Sequence, residues 1–247
     1  MKRGEDSMVA FSGTNIGLSR IENQDRVKTA VIADDAVFAV ICDGMGGENA
    51  GSEASEKAIN VILDRVTKVF RSDYDNNSLK NLLLSAVTTA NAVVYDVAWL
   101  NEEKQGMGTT CVLALVTGNK LHVVNVGDSR AYLINDEIIQ ITKDHTMVMK
   151  MYEKGQISKD EIKNHPHRNY LTKAVGVSEQ VVPDYYEMDF SEDSALILCS
   201  DGLSNYCDEA DIFNIVKSFG AEEIPEQLIK TALDNGGNDN ISVAVIR

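Results

Sequence analysis

Five aspartates in this sequence flank apolar, strand-like runs. The clearest is Asp43, which follows Ala36-Val37-Phe38-Ala39-Val40-Ile41-Cys42 and precedes Gly44-Met45-Gly46-Gly47. The apolar run reads as a buried strand that delivers one carboxylate to its end. Small residues beyond it let backbone approach a ligand and permit positive φ. Asp-Gly is also a frequent turn dipeptide, so alone the stretch reads as well as a turn as it does as a metal or phosphate site. The pattern recurs, however. Val123 to Gly127 leads to Asp128, and Leu196 to Ser200 leads to Asp201-Gly202. Gly236-Gly237-Asn238 precedes Asp239-Asn240, which opens the last apolar run, and Asp25 stands at the mouth of the run at 29–33. Carboxylates gathered in one place repel one another and are costly to desolvate unless cations neutralise them. An all-oxygen set points to Mg²⁺ or Mn²⁺ rather than Zn²⁺, which favours His and Cys.

These side chains need elements to carry them. Residues 8–14 predict a first strand, and a polar loop over 15–25 precedes a strand at 29–33. Ile59, Leu63, Val66 and Phe70 recur at helical spacing, as do Leu79, Leu83, Ala86, Ala90, Val94 and Val97. Two helices with core-facing stripes are therefore expected. Thr109 to Val116 is nearly unbroken in its apolarity, as in a strand covered on both faces. Strands at 121–126 and 131–134, a tight Asn135-Asp136 turn and a strand at 138–142 follow. Residues 144–176 are the least regular part, and a long irregular insertion of this kind often serves as a lid or recognition loop. Strands return at 187–190, 195–199 and 241–246, with helices near 208–219 and 221–233. No repeat or Pro/Ser-rich linker divides the chain, which predicts one domain over 1–247 with a flap at about 146–170.

Composition narrows the function classes. The 247 residues carry a formal net charge of −15, which disfavours sequence-independent nucleic-acid binding, since that needs basic surface. Acidic surface serves solubility as well as cation binding. The charged start, Met1 to Asp6, leads into no apolar segment of the signal-peptide kind, and no stretch of bilayer-spanning length is expected. Cys42, Cys111, Cys199 and Cys207 form no close C-x-x-C pair, so reduced thiols in a cytoplasmic protein are expected.

The motifs, taken in order, resemble the metal-dependent Ser/Thr protein phosphatases, the type 2C or PPM family, in their bacterial form. The matching pieces are Gly17-x-x-Arg20-x-x-Asn23-Gln24-Asp25, Val40-x-Cys42-Asp43-Gly44-Met45-Gly46-Gly47, Met107-Gly108-Thr109-Thr110 and Val126-Gly127-Asp128-Ser129-Arg130. Asp144-His145, Ser200-Asp201-Gly202-Leu203 and Asp239-Asn240-Ile241 complete the set. The resemblance implies an α+β fold, a four-layer α/β/β/α sandwich of two mainly antiparallel sheets with helices outside. It implies two ions, Mn²⁺ or Mg²⁺, with Asp43 bridging them and the Gly44 carbonyl ligating one. Asp201 and Asp239 would complete one ion's protein shell, and Asp25 would reach the metals through water. Asp128, with Asp201, resembles the position of a weaker third ion; a hairpin role is the competing reading. The bridged ions would acidify a water for in-line attack on phosphorus. Arg20 resembles the phosphate-binding arginine, whose fork suits two phosphoryl oxygens, against the alternative of a surface ion pair.

One position departs from many eukaryotic relatives, which carry His where this chain has Met45. Methionine donates no proton, so the general acid is left unassigned. The segment from His165 through Thr172 is expected to shape the substrate entrance rather than to bind metal. Asp144-His145 reads as a hydrogen-bonded pair, and Cys42 and Cys199 as core residues. The expected substrates are phosphorylated proteins, including those of a bacterial Ser/Thr kinase, hydrolysed by a monomer that engages neither nucleic acid nor membrane. A catalytically dead docking module and a specialist for one phosphorylated regulator are the rival readings.

Overall fold

The computed structural model describes residues 8–47 and 50–247. The reading of the charged start at Met1 to Asp6 lies outside these residues. In chain order the first elements are β1 (Ala10–Asn15), β2 (Asp25–Ala33), β3 (Ala36–Met45), α1 (Ala50–Val69) and α2 (Asn76–Leu100). Five strands follow: β4 (Gly108–Thr109), β5 (Cys111–Thr117), β6 (Lys120–Val126), β7 (Arg130–Ile134) and β8 (Ile138–Gln140). Then come α3 (Met147–Glu153), α4 (Lys159–Ile162), β9 (Asp184–Asp189) and β10 (Ala195–Cys199). The chain ends with α5 (Asp201–Ser204), α6 (Glu209–Ser218), α7 (Ile224–Asp234) and β11 (Ile241–Ile246).

Alternation along β3 explains the layers. Successive side chains of a strand point to opposite faces. Phe38, Val40 and Cys42 pack with Ile59, Ile62, Leu83 and Ala90 of α1 and α2. Val37, Ala39 and Ile41 point the other way, into a core shared with Leu196 and Leu198 of β10 and Ala244 and Ile246 of β11. The opposite faces of β10 and β11, carrying Ile197, Cys199, Val243 and Val245, pack with Ile212 and Val216 of α6 and Leu228 and Ala232 of α7. Helices, sheet, sheet and helices thus stack in four layers, the α+β sandwich expected. The sheets run β1-β11-β10-β7-β8 and β2-β3-β5-β6-β9, with β4 paired to β3. All their pairings are antiparallel.

Several boundaries differ from the sequence expectation for local reasons. β2 begins at Asp25, not at residue 29, because the polar residues up to Lys28 pair with β3 as readily as the apolar ones. The run at 109–116 breaks at Thr110, whose backbone N–H donates to the Asp43 carbonyl (2.8 Å) while its Oγ1 accepts from the Asp43 N–H (3.0 Å). The short helices α4 and α5 carry no apolar periodicity and were not anticipated. Asp144 and His145 do not bond each other. Arg130 grips Asp144 at 2.7 Å, and His145 accepts from the Gly127 N–H at 3.0 Å and faces Asp184 at 3.1 Å. The irregular segment is closed at its neck, where Thr146 pairs with Leu171 and the Met147 N–H donates to the Tyr170 carbonyl.

The expectation that no stretch has bilayer-spanning length is overturned by α2. Its 25 residues include a window of hydropathy 1.3, long and apolar enough to span by length and composition. Asn, Ser and Thr break the visual run without adding charge. Leu79, Leu83, Val87, Ala90 and Val94 nevertheless form a buried stripe against α1 and β3, the use expected of an amphipathic core helix. Leu83→Ala is expected to cost about 2–5 kcal/mol, the range for a leucine truncated in a packed core. Urea denaturation, with an unchanged slope and a lowered midpoint, is the measurement that checks it.

Candidate metal centre

The register of β2 against β3 places Asp25 directly opposite Asp43. Like charges facing each other across a strand pair are destabilising, so this juxtaposition needs compensation. Part of it comes from the other sheet. Ser200, at the end of β10, donates from Oγ to Asp25 Oδ2 at 2.7 Å and accepts the Ser242 N–H of β11 at 3.0 Å. Asp25 is only 2% exposed, yet its Oδ1 is buried without a hydrogen-bond partner. An orphaned carboxylate oxygen of this kind calls for a water or an ion as its partner.

The second sheet supplies the facing carboxylates. β10 runs into α5, whose first residue is Asp201, and the charges of Asp201 and Asp43 act on each other. Asn205 also donates to Asp201 Oδ2 at 3.1 Å. Asp239 lies in the loop entering β11. Asp128 lies in the β6–β7 turn, close enough to raise the proton affinity of Asp43 and to be raised by Asp201. The five aspartates singled out in the sequence thus lie near enough to influence one another's charge, without closing into one cluster.

Asn240 binds the loops together, a role its place in a motif did not reveal. Its Oδ1 accepts the Gln24 N–H (2.8 Å), and its Nδ2 donates to the carbonyls of Ile16 (2.9 Å) and Glu22 (3.0 Å). Gly17, at φ +79°, lets the 15–20 loop press on the Asp239 carbonyl, where an added Cβ would come within 1.9 Å. This contact brings Arg20 to Asp239 as a 2.7 Å ion pair, with the two side chains 56% and 33% exposed. The ion-pair reading of Arg20 is thus what the structure contains. Such half-exposed pairs contribute about 0–1 kcal/mol, so its guanidinium can be redirected at little cost. Arg20 opens onto a cleft of about 520 Å³ that Glu22, Gln24, Gly46, Gly47 and Asn240 also line.

At Gly44 the packing of neighbouring backbones requires glycine. A Cβ there would lie 2.1 Å from the Gly51 carbonyl oxygen of α1 and 2.8 Å from that of Gln24. Close approach of three backbones, rather than positive φ, excludes a side chain. His165 and His167 lie with their rings tilted by 55° and centroids 5.4 Å apart, in the segment before Leu171. Cys42 and Cys199 are fully buried in separate cores, as expected.

Electrostatics records the crowding. Burial, then the charges of Asp25 and Asp201, hold the Asp43 carboxyl well above the ordinary range. Burial, then Asp201, does the same to Asp128. Asp25 and Asp201 are each pushed up to about 6, chiefly by burial. The carboxylates do not yet close on one point: among the described residues no three His, Cys, Asp or Glu side chains are drawn together tightly enough to hold an ion. Their donor set nonetheless fits hard divalent cations. It is all oxygen, at most partly exposed, mutually repulsive and includes the unpaired Oδ1 of Asp25.

Two antiparallel sheets packed face to face between helical layers, with aspartates at the strand ends of both, define the four-layer sandwich class. The chain belongs to the protein phosphatase 2C family, whose profile matches residues 27–241. It is 34% identical over 235 residues to the serine/threonine phosphatase stp of Listeria innocua, an alignment covering 94% of this chain and 93% of that one. Its fold is similar to that of Stp1 from Staphylococcus aureus, with a TM-score of 0.90, 34% identity and coverage of 100% of this chain and 96% of that one. The catalytic domain of PstP, solved in complex with two manganese ions, matches with a TM-score of 0.84 and 30% identity over 97% of each chain. Family and fold are therefore those the motifs implied.

Two outcomes are expected. Asn240→Ala leaves the Gln24 N–H and two carbonyls without their partner, at about 1–3 kcal/mol for each group left buried. Calorimetry is expected to show a lowered Tm. Carboxyls raised from their ordinary 3.8 to about 6 hold protons in the native state that the unfolded chain releases. Their contribution to stability in chelator is therefore complete below the ordinary value and lost as pH rises through about 6. The pH dependence of Tm is expected to flatten in Asp25→Asn, and Mn²⁺ to raise the wild-type Tm at neutral pH.

Proposed function

We propose that this chain is a metal-dependent phosphoprotein phosphatase that releases phosphate from phosphoserine and phosphothreonine. The carrying observation is the Asp25–Asp43 juxtaposition, faced by Asp201, Asp239 and Asp128 from across the cleft. Asp43, the Gly44 carbonyl, Asp201 and Asp239 would hold two Mn²⁺ or Mg²⁺ ions, with Asp25 acting through its free oxygen. Asp128 with Asp201 would hold a weaker third. The manganese pair in PstP supports the metal assignment. Such ions supply Lewis acidity that lowers the pKa of a coordinated water.

The chain's own residues supply the rest. Arg20 turns from Asp239 to two phosphoryl oxygens, exchanging one charge-assisted contact for another. Asn240 fixes the loop that carries Arg20, and Ser200 orients Asp25. Met45 follows Gly44 and offers no proton, so the leaving oxygen takes its proton from a group other than this side chain. The whole chain acts as one catalytic domain, with 146–170 as its flap. We place it in the cytoplasm as a monomer that opposes a Ser/Thr kinase and engages neither nucleic acid nor membrane. Its charge of −15 supports the exclusion of nucleic acid.

Asp43→Asn and Asp239→Asn are expected to lower kcat/KM on a phosphothreonine peptide by at least about 100-fold, the upper range for losing even an outer-shell partner. Chelator is expected to abolish wild-type turnover and Mn²⁺ to restore it. Turnover that persists in both variants would show that the chemistry lies elsewhere.

A further inference from the structure

A second, smaller recess opens on the other side of Met45. It has a volume of about 180 Å³ and a mixed lining: Met45, Leu171, Ala174, Val177, Val181 and Val182 form its apolar part, and Thr172, Lys173, Ser178 and Gln180 the rest. Met45 and Val177 meet over Gly108, where an added Cβ would come within 2.6 Å of Val177 Cγ2 and 3.2 Å of Met45 Cε. Only a residue without a side chain fits beneath them. Val177 and Val182 remain 45% and 74% exposed, so apolar surface is left facing solvent at the rim.

Three observations identify what this recess takes. The first is its size, which falls below the roughly 300–1,000 Å³ of pockets for whole ligands and suits one side chain. The second is charge. Lys173 also lines the recess, but its Nζ is held by Asp184 Oδ1 at 2.8 Å and by the Val182 carbonyl at 3.2 Å. With that cation already paired, Thr172, Ser178 and Gln180 are the other polar members, and all three are uncharged. The third is continuity with the catalytic cleft. Met45 lies two residues beyond Asp43 on the same strand, a distance of about 7 Å at about 3.3 Å per residue. An extended peptide covers that distance in two or three residues. Gly46 and Gly47, the next residues of the chain, line the cleft that also holds Arg20. Met45 therefore stands between the phosphate side and the apolar side of one surface.

We propose that the recess bounded by Met45 and residues 171–182 receives an uncharged aliphatic side chain of the phosphoprotein substrate, two or three positions from the phosphoresidue. Met45 is then a specificity residue. Its flexible thioether suits an irregular apolar wall. This inference rests on the phosphatase reading above and deepens it.

The test compares phosphothreonine peptides carrying Leu or Asn at the second and third positions on either side of the phosphoresidue, with p-nitrophenyl phosphate as a substrate without flanks. Leu at one of these positions is expected to raise kcat/KM by about 10-fold or more over Asn, the discrimination an apolar pocket delivers. Val182→Asp, at the exposed rim, is expected to remove that preference while hydrolysis of p-nitrophenyl phosphate stays within about twofold of wild type. Val182→Thr, a milder change, is expected to reduce it in part. Equal kcat/KM for all peptides with the wild-type enzyme would overturn the proposal without any variant. So would a preference that survives Val182→Asp. Failure to hydrolyse either the peptides or p-nitrophenyl phosphate would instead overturn the phosphatase reading, and the recess with it.

Discussion

The placement of Asp25 opposite Asp43 is the constraint on which the rest of the structure depends. Antiparallel pairing of β2 and β3 fixes it, because the register is set by the apolar alternation along both strands. A slip of one residue would turn Phe38 and Val40 from the helical core into the core between the sheets. Hydrophobic packing over the whole strand therefore enforces an electrostatic conflict at its end. No local rearrangement relieves that conflict without unpacking β3. The sandwich is rigid where it needs to be, and the repulsion is held in place until something with positive charge answers it.

The second sheet is tied to this conflict by polar contacts rather than by apolar ones. Ser200 links Asp25 to the backbone of β11, and Asn240 links the entry of β11 to the loops before β2. Each contact is buried or nearly so, where a hydrogen bond left unmade costs more than one made contributes. The contacts therefore specify how the strand ends of one sheet meet those of the other. Gly44 and Gly17 work to the same end, because backbone reaches places at these positions that a Cβ would occupy. Carboxylates far apart in the chain are thus brought to one cleft by small polar residues and glycines, with the apolar cores setting only the layers.

This division explains what was legible in the sequence. The layers could be read because apolar periodicity at 36–42, 79–94 and 241–246 reports burial directly. The acidic centre could be read because strand-ending aspartates recur in an ordered set of motifs. The clamps could not be read in the same way. Asn240, Ser200 and Thr110 lie within those motifs, but a hydroxyl or carboxamide can bond too many partners for spacing to choose among them. α5 is a single turn without periodicity, so Asp201 read as the end of a strand rather than the start of a helix. α2 misled in another way. Its Asn, Ser and Thr residues hid its apolarity from a search for long unbroken runs, although they add no charge. The pairing of Asp144 with Arg130 rather than with His145 followed from the β7 register, which neighbouring positions in the chain do not report.

Arg20 shows how a site can be prepared without being locked. Its partner, Asp239, is itself part of the acidic group, so their ion pair quenches one repulsive charge while directing a guanidinium at the cleft. The pair is half-exposed and therefore weak, whereas the Asp25–Ser200 contact is buried and therefore durable. Strong and weak contacts are thus sorted by burial. The Ser200 contact that fixes Asp25 lies inside, and the Arg20–Asp239 contact lies at the rim. Met45 falls on the same boundary, at the last position of β3, where the strand's side chains cease to belong to the core and begin to line the recess shared with Leu171 and Val177.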